Sequence, residues 1–355
     1  MFIVNLSRIG RSGTGMWNYS LNFIEELKKL DVLSAIICSE GNVEKLSKFG
    51  VEIIRVPDLV SNTSKISKIR PLLWFVYSFF ISLRIMCREG SEVIVSTTHH
   101  ALPIIKKQII TIHDLRPYKY PDSLLQRCFF RILLPITLKR CCHIITVSQT
   151  VKQKISQCYK YPMDKISVIY NSINAKEFKP SLEKQLFLLA VGSSWHHKNI
   201  DSFLKVHSLW IDKFKLVIVC GETVYVSDLK KYVIENNLSE CVEFRHNIEF
   251  TDLVDLYSAA SALVYPSLDE GFGIPPVEAM SSLTPVIVSD IEVFHEILGD
   301  AAIYVDPCST ISWTLALEKL PLDNASLFYA QACAGKYTSD VMRNMLGSWI
   351  EKIEK

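Results

Sequence analysis

Short apolar runs, broken by glycine and polar turns, recur along the whole chain with amphipathic stretches between them. Residues 2–6, 34–39, 53–56, 93–96 and 109–112 are short enough for strands, and their unbroken apolarity suits strands covered on both faces. The pattern returns at 187–191, 216–220, 242–247, 262–265, 286–288 and 302–306. Between the runs, 21–30, 148–158, 252–258, 312–320 and 327–353 carry apolar residues at helical spacing. Strands alternating with helices predict an α/β protein with parallel sheets. A polar stretch around Pro180 separates two halves, and each half opens as strand, glycine loop and helix. The pattern predicts two Rossmann-like domains, 1–180 and 181–335, with 336–355 as a closing helix.

Four further segments need separate assignment. Residues 72–83, behind a polar and basic stretch at 61–68 and followed by Arg84 and Arg88, form an apolar run. It is too short to span a bilayer, which takes ~20 apolar residues. It reads as a buried helix of the first core, or as an interfacial helix with basic flanks. Residues 124–140 interleave Arg127, Arg131, Lys139 and Arg140 with apolar side chains, which predicts a second such helix, kinked at Pro135. Cys141-Cys142-His143 has no metal-site spacing and is assigned to a strand, and 168–174 to the last strand of the first half.

Charge sharpens the division. Residues 1–182 hold 26 Lys+Arg against 13 Asp+Glu, and residues 183–355 hold 13 against 24. A basic half joined to an acidic half supports two separate units. The basic half suits an anionic partner, and with no nucleic-acid module in the sequence an anionic membrane surface is the expected one. The length and the 49% hydrophobic content support two cores. Ten cysteines without a C-x2-C pair read as free thiols of a reducing compartment. The first residues lack the basic start of a signal peptide. The expected location is cytoplasmic, peripheral on the inner face of the plasma membrane.

The chemistry concentrates at 262–290. A strand is followed by Glu270-Gly-Phe-Gly-Ile-Pro-Pro-Val-Glu278, then by another strand. Gly271 and Gly273 flank Phe272 in a loop that can approach a ligand closely. Pro275 and Pro276 suit a first helical turn, whose start would offer its N–H groups and a partial positive charge to a diphosphate. Lys198, at a strand–loop–helix junction with Asn199 beside it, offers a point charge to the same group. In the first half, His113-Asp114 closes a strand where open α/β sheets bind ligands, and His99-His100 closes the strand before it. The first glycine loop, with Gly13 and Gly15, has the order G-x-x-G-x-G and not the dinucleotide order G-x-G-x-x-G.

The 270–278 stretch resembles the E-x7-E signature of glycosyltransferase family 4, the retaining nucleotide-sugar transferases of GT-B architecture. The resemblance is strong over 168–307 and traceable from the N-terminus. It implies two Rossmann-like domains facing each other across a cleft, with the last helix crossing back to the first. It also implies that Glu278 holds the donor ribose and that Glu270 meets the transferred sugar, while the amides of Gly271, Phe272, Gly273 and Ile274 bind sugar and phosphate. Lys198 and Asn199 match the family's phosphate loop, which departs from it in having Ser193 and His197 where arginines are common. The loop carrying Arg245 corresponds to the nucleobase site. Gly13 and Gly15 fall at the cleft-facing loop, and His113 and Asp114 near the acceptor, where with Glu270 they are the expected catalytic residues. Asn171 matches a family Asn-Gly, with Ser172 in place of the glycine.

No D-x-D triplet occurs, so the diphosphate charge is expected to be met without a metal or other cofactor, by Lys198 helped by His197, loop amides and a helix start. The expected activity is retaining transfer of a sugar, mannose from GDP-mannose, to a polyprenyl-linked or oligosaccharide acceptor in bacterial O-antigen or capsule synthesis. A same-fold epimerase or phosphorylase, and a non-catalytic nucleotide-sugar-binding protein, are the alternatives.

Overall fold

The strands predicted in each half pair into one parallel sheet per half. The computed structural model describes residues 1–10, 15–61, 70–87, 92–121 and 123–353. Among these, β1 (Phe2–Asn5), β2 (Leu33–Ser39), β3 (Glu52–Val56), β4 (Val93–Ser96), β5 (Gln108–Ile112), β6 (His143–Thr146) and β7 (Ile166–Val168) form one sheet in the order β3-β2-β1-β4-β5-β6-β7. The second sheet contains β8 (Gln185–Val191), β9 (Lys215–Val219), β10 (Val242–Arg245), β11 (Ala260–Tyr265), β12 (Val286–Ser289) and β13 (Ile303–Val305), ordered β10-β9-β8-β11-β12-β13. All pairings are parallel, and the central strands are mostly buried on both faces, which is why they are largely apolar, with Asn5 and Ser96 as buried polar exceptions at the ends of β1 and β4. Each order reverses once, at β1/β4 and at β8/β11. In open parallel sheets ligands bind beyond the carboxyl ends of the strands at that reversal.

The chain divides into two units, Met1–Ser172 with Ser339–Lys355, and Ile173–Thr338. In the first, the helix Ser339–Ile353 packs on the helix Gly15–Lys29 through an ion pair between Arg343 and the buried Glu26, and Trp349 stacks on Phe2. Ser172 closes this unit: its carbonyl and hydroxyl accept from Asn22, and its hydroxyl reaches Met342. In the second, Phe203, Trp210 and Trp313 fill one side of the sheet against Leu188, Leu216 and Ile218.

Several expectations change. The 168–174 run is not one strand: β7 ends at Val168, and Ile173 bridges Thr338 in the second unit. Cys141 and Cys142 precede β6, whose residues are all buried. The helix expected over 124–140 comprises Leu124–Cys128, a wide π segment Phe129–Leu133, and Leu134–Leu138. Pro135 has no N–H to return to the preceding turn, and the widened turn before it absorbs that loss. Ser123 caps this segment by accepting from the Gln126 N–H.

The apolar helix Arg70–Met86 is neither wholly buried nor wholly exposed. Trp74 and Ile81 enter the core, whereas Phe75 and Phe80 are 62% and 61% exposed. Leu125, Ile132, Leu133 and Ile136 are likewise exposed, as are Arg127, Arg131, Lys139 and Arg140. Gly13, the basic residues of 62–69 and Arg88 lie outside the described residues. Among the described residues no helix is long and apolar enough to cross a membrane.

Candidate active site

In the second unit the loop after β8 and the loop after β11 meet at the sheet's reversal. Three bonds stitch them together. The Leu268 N–H donates to the His197 carbonyl at 2.8 Å, the Asn199 amide to the Pro266 carbonyl at 3.2 Å, and the Lys198 ammonium to Glu270 Oε1 at 2.6 Å. Asn199 takes a left-handed conformation (φ 55°), which lets the loop turn into the helix Ile200–Lys205.

A tyrosine completes the group. Tyr265, the last residue of β11, accepts from Lys198 at 2.6 Å and donates to Glu270 Oε1 at 2.9 Å. The Lys198 ammonium also lies 4.9 Å from the Tyr265 ring centre. Burial opposes charge on both ends of the ion pair. For Lys198 the Glu270 charge and hydrogen bonds outweigh it, and the ammonium titrates above the usual lysine range. For Glu270 burial again works against ionisation, but the Lys198 charge and bond and the nearby His197 hold the carboxyl below its usual range. The result is a charged, largely dry pair at the mouth of the sheet.

Gly273 is required for a reason beyond close approach. Its φ is 90°, and a Cβ there would lie 2.7 Å from the Phe294 ring, so alanine fits neither the backbone nor the space. It precedes the helix Ile274–Ser281, where Pro275 and Pro276 remove two of the first-turn donors and leave fewer N–H groups than the sequence suggested. The Phe272 side chain is buried edge-on against Tyr337, so any ligand contact of Phe272 falls to its backbone.

Glu278 sits inside that helix. Its Oε2 accepts from the Tyr257 hydroxyl at 2.7 Å, and burial pushes its carboxyl up to about 7, with Tyr257 pulling it down and Glu177 pushing it up. Arg245 turns elsewhere. It pairs with Glu243 at 2.7 Å and lines a cavity of about 460 Å³ that runs from β10 across β9 (Lys215, Val217) to β8 (Phe187), with Asp252 from the following helix.

In the first unit, His113 follows β5. Its Nε2 lies 2.8 Å from the Thr97 carbonyl, and Tyr19 packs edge-on at 4.6 Å. A carbonyl only accepts, so Nε2 carries the proton and Nδ1 is the lone-pair nitrogen. Burial lowers the His113 pKa, more than the Thr97 bond raises it, which favours the neutral ring. His99 is held lower still, at about 3, by burial and then by His113 and Arg8. Asp114 Oδ1 accepts from the Arg116 N–H and shapes the turn after β5. Gly15 is the first residue of the helix Gly15–Lys29. Tyr257 and Tyr265 were not singled out from the sequence, where each reads as one more apolar position of its helix or strand.

A family model described as Glycosyltransferase Family 4 matches residues 13–177, and one described as Glycosyl transferases group 1 matches residues 172–331. The chain is 49% identical over 351 residues to the O-antigen chain mannosyltransferase RfbU of Salmonella typhimurium, covering 98% of this chain and 99% of that protein. Among solved structures it resembles sucrose-phosphate synthase from Thermosynechococcus elongatus, with a TM-score of 0.80, 16% identity, and coverage of 99% and 98% of the two chains. It also resembles Anabaena Alr3699/HepE in complex with UDP and glucose, with a TM-score of 0.75, 17% identity, and 99% of each chain covered. At these identities the likeness to the two structures is one of fold.

Proposed function

The chain belongs to glycosyltransferase family 4 and is a glycosyltransferase, and from that premise we propose that it transfers mannose from GDP-mannose, with retention, to a polyprenyl-linked or oligosaccharide acceptor in bacterial O-antigen or capsule synthesis. The observation that carries the donor half is the Lys198–Tyr265–Glu270 group at the β8/β11 reversal, with Glu278 in the helix that follows. An ammonium has three protons. Lys198 gives two to Tyr265 and Glu270, and the third is available to a diphosphate oxygen. Charge released onto the leaving nucleotide is then met by a donor already oriented before the bond breaks.

Glu278 accepts the vicinal ribose hydroxyls in this reading, and Glu270 faces the transferred sugar. The backbone of Gly271, Phe272, Gly273 and Ile274 supplies the remaining donors. On the acceptor side, neutral His113 offers Nδ1 as a hydrogen-bond acceptor to a sugar hydroxyl. The mannosyl and O-antigen assignment is supported by the 49% identity to a protein with that name.

The exposed apolar residues of Arg70–Met86 and of the 124–138 segment, together with Arg127, Arg131, Lys139 and Arg140, support docking on the anionic inner face of the plasma membrane. The test of the activity is incubation with GDP-mannose, other GDP-sugars and UDP-sugars, each with and without a membrane-lipid acceptor fraction. Acceptor-dependent transfer of mannose supports the reading. Conversion of the donor without acceptor would point to an epimerase instead.

A further inference from the structure

We propose that Tyr257 is a positioning residue for nucleotide recognition: its buried hydroxyl holds one oxygen of Glu278 and leaves the other for the ligand. This rests on the reading of Glu278 as the ribose ligand. Tyr257 lies in the helix Phe250–Ala259 and is completely buried. Its ring packs edge-on against Phe178, 6.2 Å between centres, and its carbonyl accepts from the Thr284 hydroxyl. Thr284 is itself bound by the Lys184 ammonium at 2.8 Å, which also reaches the carbonyls of Ser258 and Ser282. The backbone of Tyr257 is thus fixed from below, and its hydroxyl has little freedom to move.

A phenylalanine would fill the same space. The added hydroxyl is costly to bury unless it is bonded. Among the described residues, the partner of that hydroxyl is Glu278, 21 positions away in the chain. Tyr257 is in turn the hydrogen-bond donor that Glu278 has among those residues. A carboxylate at this depth is itself unfavourable, as its upward shift records. Two groups that a core would avoid are therefore placed against each other. The arrangement makes sense if the carboxylate must stay charged and aimed when ribose hydroxyls arrive. The groups facing Glu278 are Tyr257 from the helix Phe250–Ala259 and Glu177 from the Ala175–Glu177 turn; the first favours the ionised form and the second opposes it.

The experiment measures GDP and UDP affinity of purified full-length protein from pH 5.5 to 8.5, with donor KM and kcat at pH 7.5. Wild-type Kd should rise as pH falls through about 7, as Glu278 protonates. Tyr257→Phe should move that limb to higher pH, weaken binding at pH 7 by roughly three- to tenfold, and leave kcat at saturating donor within about twofold. In a Glu278→Gln background the same change should add less than about twofold, because no charge remains to be held. Superimposable pH profiles for wild type and Tyr257→Phe would overturn the proposal. A full, additive Tyr257→Phe effect in the Gln background would do the same. If Glu278→Gln binds GDP and UDP as wild type does, the ribose reading fails before Tyr257 is in question.

Discussion

The Lys198 ammonium lies 2.6 Å from the Glu270 carboxylate although 72 residues separate them in the chain. The two side chains are 16% and 13% exposed, so the pair crosses the β8/β11 reversal largely out of water. Removing one member of such a pair leaves an uncompensated buried charge, whereas removing both does not.

Lys198→Met should therefore lower the stability of the protein by about 3 kcal/mol. Adding Glu270→Gln in that background should recover a large part of the loss. Thermal or denaturant melting of wild type, both single variants and the double variant checks this. Simple additivity of the two changes would mean that the pair carries no coupling.

Glu278 gives a stability prediction of opposite sense. Its folded carboxyl titrates near 7, above the unfolded value, so the folded state holds that proton more tightly. The stability this group contributes is full below the unfolded pKa and is lost as pH rises through about 7. Glu278→Gln should then be more stable than wild type at pH 8, by about 3 kcal/mol, and match it near pH 4.5. The contrary result, wild type and variant melting together at pH 8, would show that the carboxylate is not strained by burial.

Glu270, Glu278, the glycine loop and Lys198 stood out in the sequence because each lies inside one strand–loop–helix segment, where spacing alone places it at the strand's carboxyl end. Tyr265 and Tyr257 did not, since Lys198 and Glu278 reach them from other segments of the second unit and apolar periodicity absorbs a tyrosine without signalling its hydroxyl, even toward Glu270 five residues on. The orientation of Arg245 follows from a rule that the sequence does contain. Residues two apart in a strand share a face, so Glu243 is its natural partner. The 168–174 run looked like one strand because Val168, Ile169, Tyr170 and Ile173 make most of it apolar. Only the return of Tyr337 to bond the Ile173 N–H reveals that its end belongs to the other unit. The widened turn before Pro135 illustrates a further limit: proline announces a disturbance, but not whether the helix bends, breaks or loosens to accommodate it.

Metal dependence tests the electrostatic account of the leaving group. With Lys198 and backbone donors meeting the diphosphate, transfer should persist in EDTA at close to the rate without it. Loss of activity on chelation, restored by magnesium or manganese, would contradict this account.

The exposed basic residues of the first unit give a salt-sensitive prediction. The protein should sediment with phosphatidylglycerol vesicles and be released as ionic strength rises. Replacing Arg127, Arg131, Lys139 and Arg140 together by serine should weaken that binding, while turnover of a water-soluble acceptor changes by less than about twofold. Equal binding to neutral vesicles, unaltered by these changes, would assign the positive charge to another partner.

The most direct test of the central claim is the kinetic separation of Glu270 from Glu278, read as donor KM, kcat and nucleoside-diphosphate Kd for Glu270→Gln and Glu278→Gln at pH 7.5. A bond to a charged group contributes about 1.5–3 kcal/mol. Glu278→Gln should accordingly weaken nucleotide binding roughly ten- to a hundredfold with a smaller change in kcat. Glu270→Gln should lower kcat by a similar or larger factor and leave nucleotide affinity nearly unchanged, because interactions that strengthen only in the transition state act on kcat. Wild-type kinetics in either variant, or equal losses of nucleotide affinity in both, would contradict the division of roles on which the account stands.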